Sequence, residues 1–219
     1  MSALAGFWSG IGHQLKSPSG AGGRLAGRVM TVVNSAPNRL AIGALEIQPD
    51  DRVLELGFGP GSAIRALAKA ASKGAVLGID SSPDMLAQAE RRNRRAIAEG
   101  RVQLRLGRFD ALPWPAGSIG KILAVNVVYF FSEGGDEIRE ARRVLAPGGL
   151  MAVYATHKDT MQHWKFAGPD THRLYGAADL RALLLRGGFE PQEVTVREAA
   201  LAFGVRGLLA LAVRHNGLR

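Results

Sequence analysis

The sequence predicts an α/β fold: a doubly wound, mostly parallel sheet with helices on both faces. Between residues 52 and 155, short apolar runs alternate with segments of helical period, the pattern of strands joined by helical crossovers. The first run, Val53-Leu54-Glu55-Leu56, passes through a turn of alternating glycines straight into a helical segment at 63–71. Four polar residues, Glu55, Asp80, Asp110 and Asn126, stand at or just after the ends of such runs. Open sheets of this class gather ligands beyond the carboxyl ends of their strands, which makes these four the first candidates for a site.

The turn reads Gly57-Phe58-Gly59-Pro60-Gly61-Ser62. Glycine adopts backbone angles that other residues avoid and lets a ligand approach the main chain. The helix behind it offers unpaired N–H groups to an anion. A dinucleotide loop needs G-x-G-x-x-G, but counting from Gly57 its third glycine falls on Ser62, and counting from Gly59 it falls on Ile64. The pattern present is E-x-G-x-G-x-G.

That pattern resembles the first motif of the class I S-adenosylmethionine-dependent methyltransferases, and the segments after it resemble the later motifs in order. In that family the loop cradles the methionine end of the cofactor, which implies that Glu55 helps to hold its amino group. Asp80 closes the second run nineteen positions beyond Gly61. A carboxylate there can accept from both ribose hydroxyls, a role shared with nicotinamide enzymes. Residues 81–86 are similar to the family pattern that sets Met85 near the adenine. Residues 107–114, with Asp110 and Ala111, resemble the segment whose Asp meets the adenine amino group. Residues 122–129 resemble the fourth strand and its polar end, and 140–149 the helix and turn before the fifth.

The resemblance spans about residues 50–196 and is nearest to the small-molecule enzymes of the ubiquinone- and menaquinone-biosynthesis type. It implies a Rossmann-like, seven-stranded sheet whose last strand inserts antiparallel between the fifth and sixth. It implies S-adenosyl-L-methionine as cofactor, S-adenosyl-L-homocysteine as product, and a cofactor site of Glu55, Gly57, Gly59, Gly61, Asp80, Met85, Asp110, Ala111 and Asn126. Gly120 departs from the family, which often has an acidic residue at the start of the fourth strand.

Before the first strand, Leu4, Phe7, Trp8, Ile11 and Leu15 form one apolar stripe at helical spacing, and residues 24–45 read as one or two helices broken near Pro37. The chain thus divides into a helical leader, 1–48, and a catalytic domain, 49–219. The stripe packs on the body of the protein, caps the site as such leaders often do in the resembling family, or rests on a membrane surface. After a fifth strand at 150–155, an excursion over 156–176 carries His157, His163, His172, Trp164, Phe166 and Tyr175, either as a pocket wall or as ordinary loop packing. A helix follows at 177–186, then strands at 189–197 and 208–214, although 200–213 is equally helical by period.

The chain of 219 residues fits one domain. It has no cysteine, which excludes disulfides and thiolate metal sites and suits a reducing cytoplasm. The histidine spacings are irregular, and no metal is expected. The formal charge is +9, but arginines are spread along the chain, and the cluster at 91–95 reads as a solvated helix face before it reads as a polyanion contact. No apolar run reaches the length of a membrane span, and no secretory signal pattern opens the chain. A small-molecule partner is therefore expected ahead of nucleic acid, and the oligomeric state is left open.

A sulfonium methyl group is already electrophilic, so the protein need only align the acceptor and exclude water. If the acceptor is a hydroxyl, His157 is the first candidate base and Tyr129 the second, as an orienting group. Asn126-Val127-Val128-Tyr129 also resembles the Asn-x-x-Tyr element of amino-group methyltransferases, in which Asn accepts from the amine and Tyr stacks on the base, with valines here in place of the usual prolines. The expected function is methyl transfer to a small molecule by in-line displacement. The alternatives are a nucleic-acid methyltransferase, a nicotinamide oxidoreductase, and a scaffold that has lost its ligand.

Overall fold

A computed structural model of the chain describes residues 34–164 and 172–215. In chain order the elements are α1 (Ser35–Ala44), β1 (Arg52–Leu56), α2 (Ser62–Ala70), β2 (Ala75–Asp80), α3 (Pro83–Ala98), β3 (Val102–Leu106), β4 (Ile119–Val125), α4 (Asp136–Val144), β5 (Leu145–Thr156), α5 (Lys158–Met161), α6 (Ala177–Arg186), β6 (Val194–Ala200) and β7 (Arg206–Val213). The strands form one sheet in the order β3-β2-β1-β4-β5-β7-β6. β7 runs antiparallel to both of its neighbours, and the remaining pairs are parallel. The sheet is Rossmann-like and seven-stranded, with its last strand inserted as the resemblance implies.

Alternation along the central strands divides the core into two layers. Leu54, Ile122 and Val153 face α4 and α6 through Ile138, Ala141, Leu180 and Leu183, all fully buried. Val53, Leu123 and Ala152 face the other way, onto Ala41 of α1 and Ile64 and Leu67 of α2, also fully buried. Helices on both faces leave the strand tips as the place where a cleft can open.

Three elements differ in detail from the sequence expectation. Pro37 does not break α1 but lies in its first turn, where a missing N–H leaves no intrahelical bond unmade. The sixth strand begins at Val194, because Pro191–Glu193 forms a 3-10 turn and Phe189 is buried instead under the Arg142 guanidinium, 5.5 Å from its ring centre. Residues 206–213 are strand and not helix: Leu208 and Ala210 enter one layer and Leu209 the other, and burial on both faces had hidden that period of two. The apolar stripe at 3–15 and Phe166 lie outside the described residues. Among the described residues no helix is long and apolar enough to cross a membrane, and no group of three or more His, Asp or Glu could hold a metal ion.

Candidate active site

The glycine turn is shaped by packing on two sides. Gly57, Gly59 and Gly61 have φ of 69°, 51° and 76°, in the left-handed region that side chains resist. A β-carbon at Gly57 would stand 2.5 Å from Cγ2 of Val127, beyond the tip of β4, and one at Gly61 would stand 2.7 Å from Cβ of Ala89 on α3. Asn93 of α3 ties down the far end of the turn by donating from Nδ2 to the Gly61 carbonyl at 3.0 Å.

Asp80, at the tip of β2, closes the near side. It accepts from the Gly59 N–H at 2.8 Å and from the Ser82 N–H at 2.9 Å. Burial nevertheless pushes its carboxyl above the ordinary range, against these backbone donors. Glu55 is more deeply set, 3% exposed, and its Oε2 has no hydrogen-bond partner among the described residues. Burial, and then the neighbouring Asp80 charge, hold its carboxyl well above the usual value. An unpartnered carboxyl oxygen at this depth calls for a donor or a cation from a ligand.

Both carboxyls line an open cleft beyond the strand tips, together with Gly57, Gly59, Met85 and Asn126. The cleft also takes in residues that the motifs did not single out: Asn34 and Asn38 at the start of α1, and Phe109 and Phe130. Phe109 was within reach of sequence reasoning, since it adjoins Asp110. The two asparagines carried no signal, because they precede the first strand. Gly61 caps α2 just behind the lining residues.

The remaining candidates stand elsewhere. Asp110 is outside the cleft lining, as is exposed Ala111. The Arg108 guanidinium grips the Asp110 carboxylate, with Nε 2.9 Å from Oδ1, and holds its carboxyl below the usual range. His157 is buried as the N-cap of α5, where Nδ1 accepts from the Asp159 N–H at 3.1 Å. Tyr129 is buried too, its hydroxyl donating to Asn126 Oδ1 at 2.7 Å and accepting from the Thr156 N–H at 2.6 Å. Neither lines the cleft, whose only titratable side chains among the described residues are those of Glu55 and Asp80.

Comparison with known proteins matches residues 53–149 to the methyltransferase domain family. An uncharacterized methyltransferase of Bacillus subtilis, YdaC, is 31% identical over 174 residues, covering 78% of this chain and 88% of its own. The chain belongs to the class I S-adenosylmethionine-dependent methyltransferases. This methyltransferase is also 31% identical over 166 residues to an arsenite methyltransferase of Halobacterium salinarum, covering 71% of this chain and 41% of the other. It spans less than two thirds of several curated relatives that it matches, 31% of one of them. Its fold is that of a putative methyltransferase solved in complex with the Haloferax volcanii Trm112 methyltransferase activator, with a TM-score of 0.72 at 20% identity over 88% of this chain and 94% of the other. The family's cofactor is S-adenosyl-L-methionine. The site fits it in one respect: among the described residues Glu55 Oε2, on a side chain that lines the cleft, has no hydrogen-bond partner.

Proposed function

We propose that the chain transfers the methyl group of S-adenosyl-L-methionine to a small-molecule acceptor by direct in-line displacement. The observation that carries this reading is the buried Glu55 oxygen, unpartnered among the described residues, at the cleft beside Asp80 and the glycine turn. When bound, the cofactor supplies a methyl group already activated by a sulfonium. In this reading Glu55 takes the cofactor's amino group, Asp80 the ribose hydroxyls and Met85 the adenine face. Asn126 borders the amino-acid end.

Among the described residues Glu55 and Asp80 are the only titratable groups at the cleft, which favours action by positioning, worth up to about 7–11 kcal/mol for well-aligned reactants. A small acceptor suits a cleft lined in part by the amides of Asn34 and Asn38 at the start of α1. The motif likeness to quinone-biosynthesis enzymes points to the same substrate class. The leader of residues 1–48 as a cap on a domain of 49–219, and a cytoplasmic location, belong to this proposal.

Calorimetry with S-adenosyl-L-methionine, S-adenosyl-L-homocysteine and NADH tests it, followed by an acceptor screen read by release of S-adenosyl-L-homocysteine. Micromolar binding of the two adenosyl ligands alone, and turnover of a small acceptor, is the expected result. Turnover confined to nucleic acid, with binding that falls steeply as salt rises, would replace the small-molecule acceptor.

A further inference from the structure

Asn126 follows β4 with φ 54°, a left-handed conformation uncommon outside glycine and best tolerated by Asn and Asp. Its side-chain oxygen is used on the inner side. Oδ1 accepts from the Tyr129 hydroxyl at 2.7 Å and from the Thr156 backbone N–H at 3.3 Å. The same N–H donates to the Tyr129 oxygen at 2.6 Å, which leaves the hydroxyl hydrogen for Asn126. A backbone N–H is a donor under any assignment, so turning the amide over would set Nδ2 against it, donor to donor. Tyr129 is itself held in place by edge contact with Phe130 and by His172 and Tyr175, at ring separations of 6.2, 5.8 and 6.4 Å.

The amide nitrogen therefore turns away from β5. Nδ2 donates one hydrogen to Asn34 Oδ1 at 2.8 Å, and both asparagines line the cleft. Its second hydrogen has no acceptor among the described residues. The cleft is thus polarised, with the Glu55 and Asp80 carboxyls beside β1 and β2 and amide donors beyond β4.

We propose that Tyr129 is a positioning residue that holds Asn126 as a hydrogen-bond donor to the cleft, and that the ligand group met there is an oxygen acceptor, a carboxylate by preference, and not an amine. The proposal rests on the cleft being the cofactor and substrate site. It reverses the polarity of the Asn-x-x-Tyr element, in which the asparagine oxygen faces a substrate amine and the tyrosine ring stacks on it. Here the oxygen and the ring are both engaged inside the protein. Two sources offer the required group: the carboxylate at the cofactor's amino-acid end and an oxygen of the methyl acceptor.

The test compares the wild-type chain with Asn126→Asp and Tyr129→Phe. Asp keeps the inward acceptor and tolerates the backbone angle but lacks Nδ2. Asn126→Gly, which also suits that angle, serves if the Asp variant does not fold. S-adenosyl-L-homocysteine and 5′-methylthioadenosine, which lacks the amino-acid end, are titrated by calorimetry. The Asn126 side-chain amide is then followed by ¹⁵N NMR in the protein saturated with S-adenosyl-L-homocysteine, as sodium acetate or methylammonium chloride is added at equal ionic strength.

A loss of about tenfold or more for S-adenosyl-L-homocysteine in Asn126→Asp, with methylthioadenosine unaffected, assigns the donor to the cofactor's carboxylate. Unchanged affinities, with the amide signals moved by acetate and not by methylammonium, assign it to the methyl acceptor. In either case Tyr129→Phe weakens the same readout while the chain stays folded. The proposal is overturned if both ligands weaken together, if methylammonium moves the amide as acetate does, or if neither ligand affinity nor amide responds. Absence of S-adenosyl-L-homocysteine binding by the wild-type chain is a separate result, which overturns the proposed function instead.

Discussion

The backbone N–H of Gly59 donates to the Asp80 carboxylate at 2.8 Å across 21 residues of sequence, so the glycine turn and the tip of β2 are one unit. Asp80 therefore shapes the site as well as offering oxygens to a ligand. Asp80→Ala should cost about 1.5–3 kcal/mol of affinity for S-adenosyl-L-homocysteine by calorimetry, through lost hydrogen bonds to a charged group. Asp80→Asn, which keeps one acceptor for Gly59, should lose less. Equal affinity in all three proteins would remove Asp80 from the binding site.

Glu55 gives the ligand-free protein a pH dependence of known sign. Its carboxyl is held well above 4.5 by burial and then by the Asp80 charge, so the folded chain binds this proton more tightly than the unfolded chain does. The contribution of Glu55 to stability is therefore full below about 4.5 and is lost as pH rises through the raised value. Glu55→Gln removes the dependence, and its melting temperature relative to wild type should climb as pH rises from 4.5 to neutrality. Parallel melting curves across that range would show that the carboxyl titrates normally.

Gly57→Ala sets a methyl group 2.5 Å from Cγ2 of Val127 at a φ of 69°. Steric clash and backbone strain should together lower stability by about 1–3 kcal/mol in denaturant melts. Adding Val127→Ala removes the clash and leaves the strain, so the double variant should recover part of the loss beyond additivity. Strict additivity would mean that the turn does not rest on the tip of β4.

Phe109 and Asp110 should exchange the importance that the motif assigns them. Phe109 lines the cleft, while the Asp110 carboxylate is taken by Arg108. Phe109→Ala should weaken S-adenosyl-L-homocysteine binding more than Asp110→Ala does. The opposite order in calorimetry would mean that the Arg108–Asp110 pair opens when ligand arrives.

Much of this was legible in the sequence, for reasons that also mark where it stopped. The glycine turn and the carboxylates behind it are local patterns, and a turn with three left-handed residues leaves its composition in the chain. Burial on both faces made β7 ambiguous, because Leu208 and Leu209 enter opposite layers and no alternation shows. Asn34 and Asn38 reach the cleft through the packing of α1 on the sheet, a tertiary contact with no local signature. Asp110 and Asn126 occupy motif positions, but what their side chains do depends on contacts with Arg108, Tyr129 and Thr156 that the motif does not encode.

The place of β7 also bears on how the molecule is made. It is last in sequence among the described strands, yet it lies inside the sheet with β5 on one side and β6 on the other. Without β7, β5 presents an open flank and β6 has no neighbour in the sheet. Strands β1, β2 and β4, whose residues line the cleft, pair with one another without β7, while closure of the sheet waits on it. An unpaired flank of this kind is open to edge-to-edge association until it is filled.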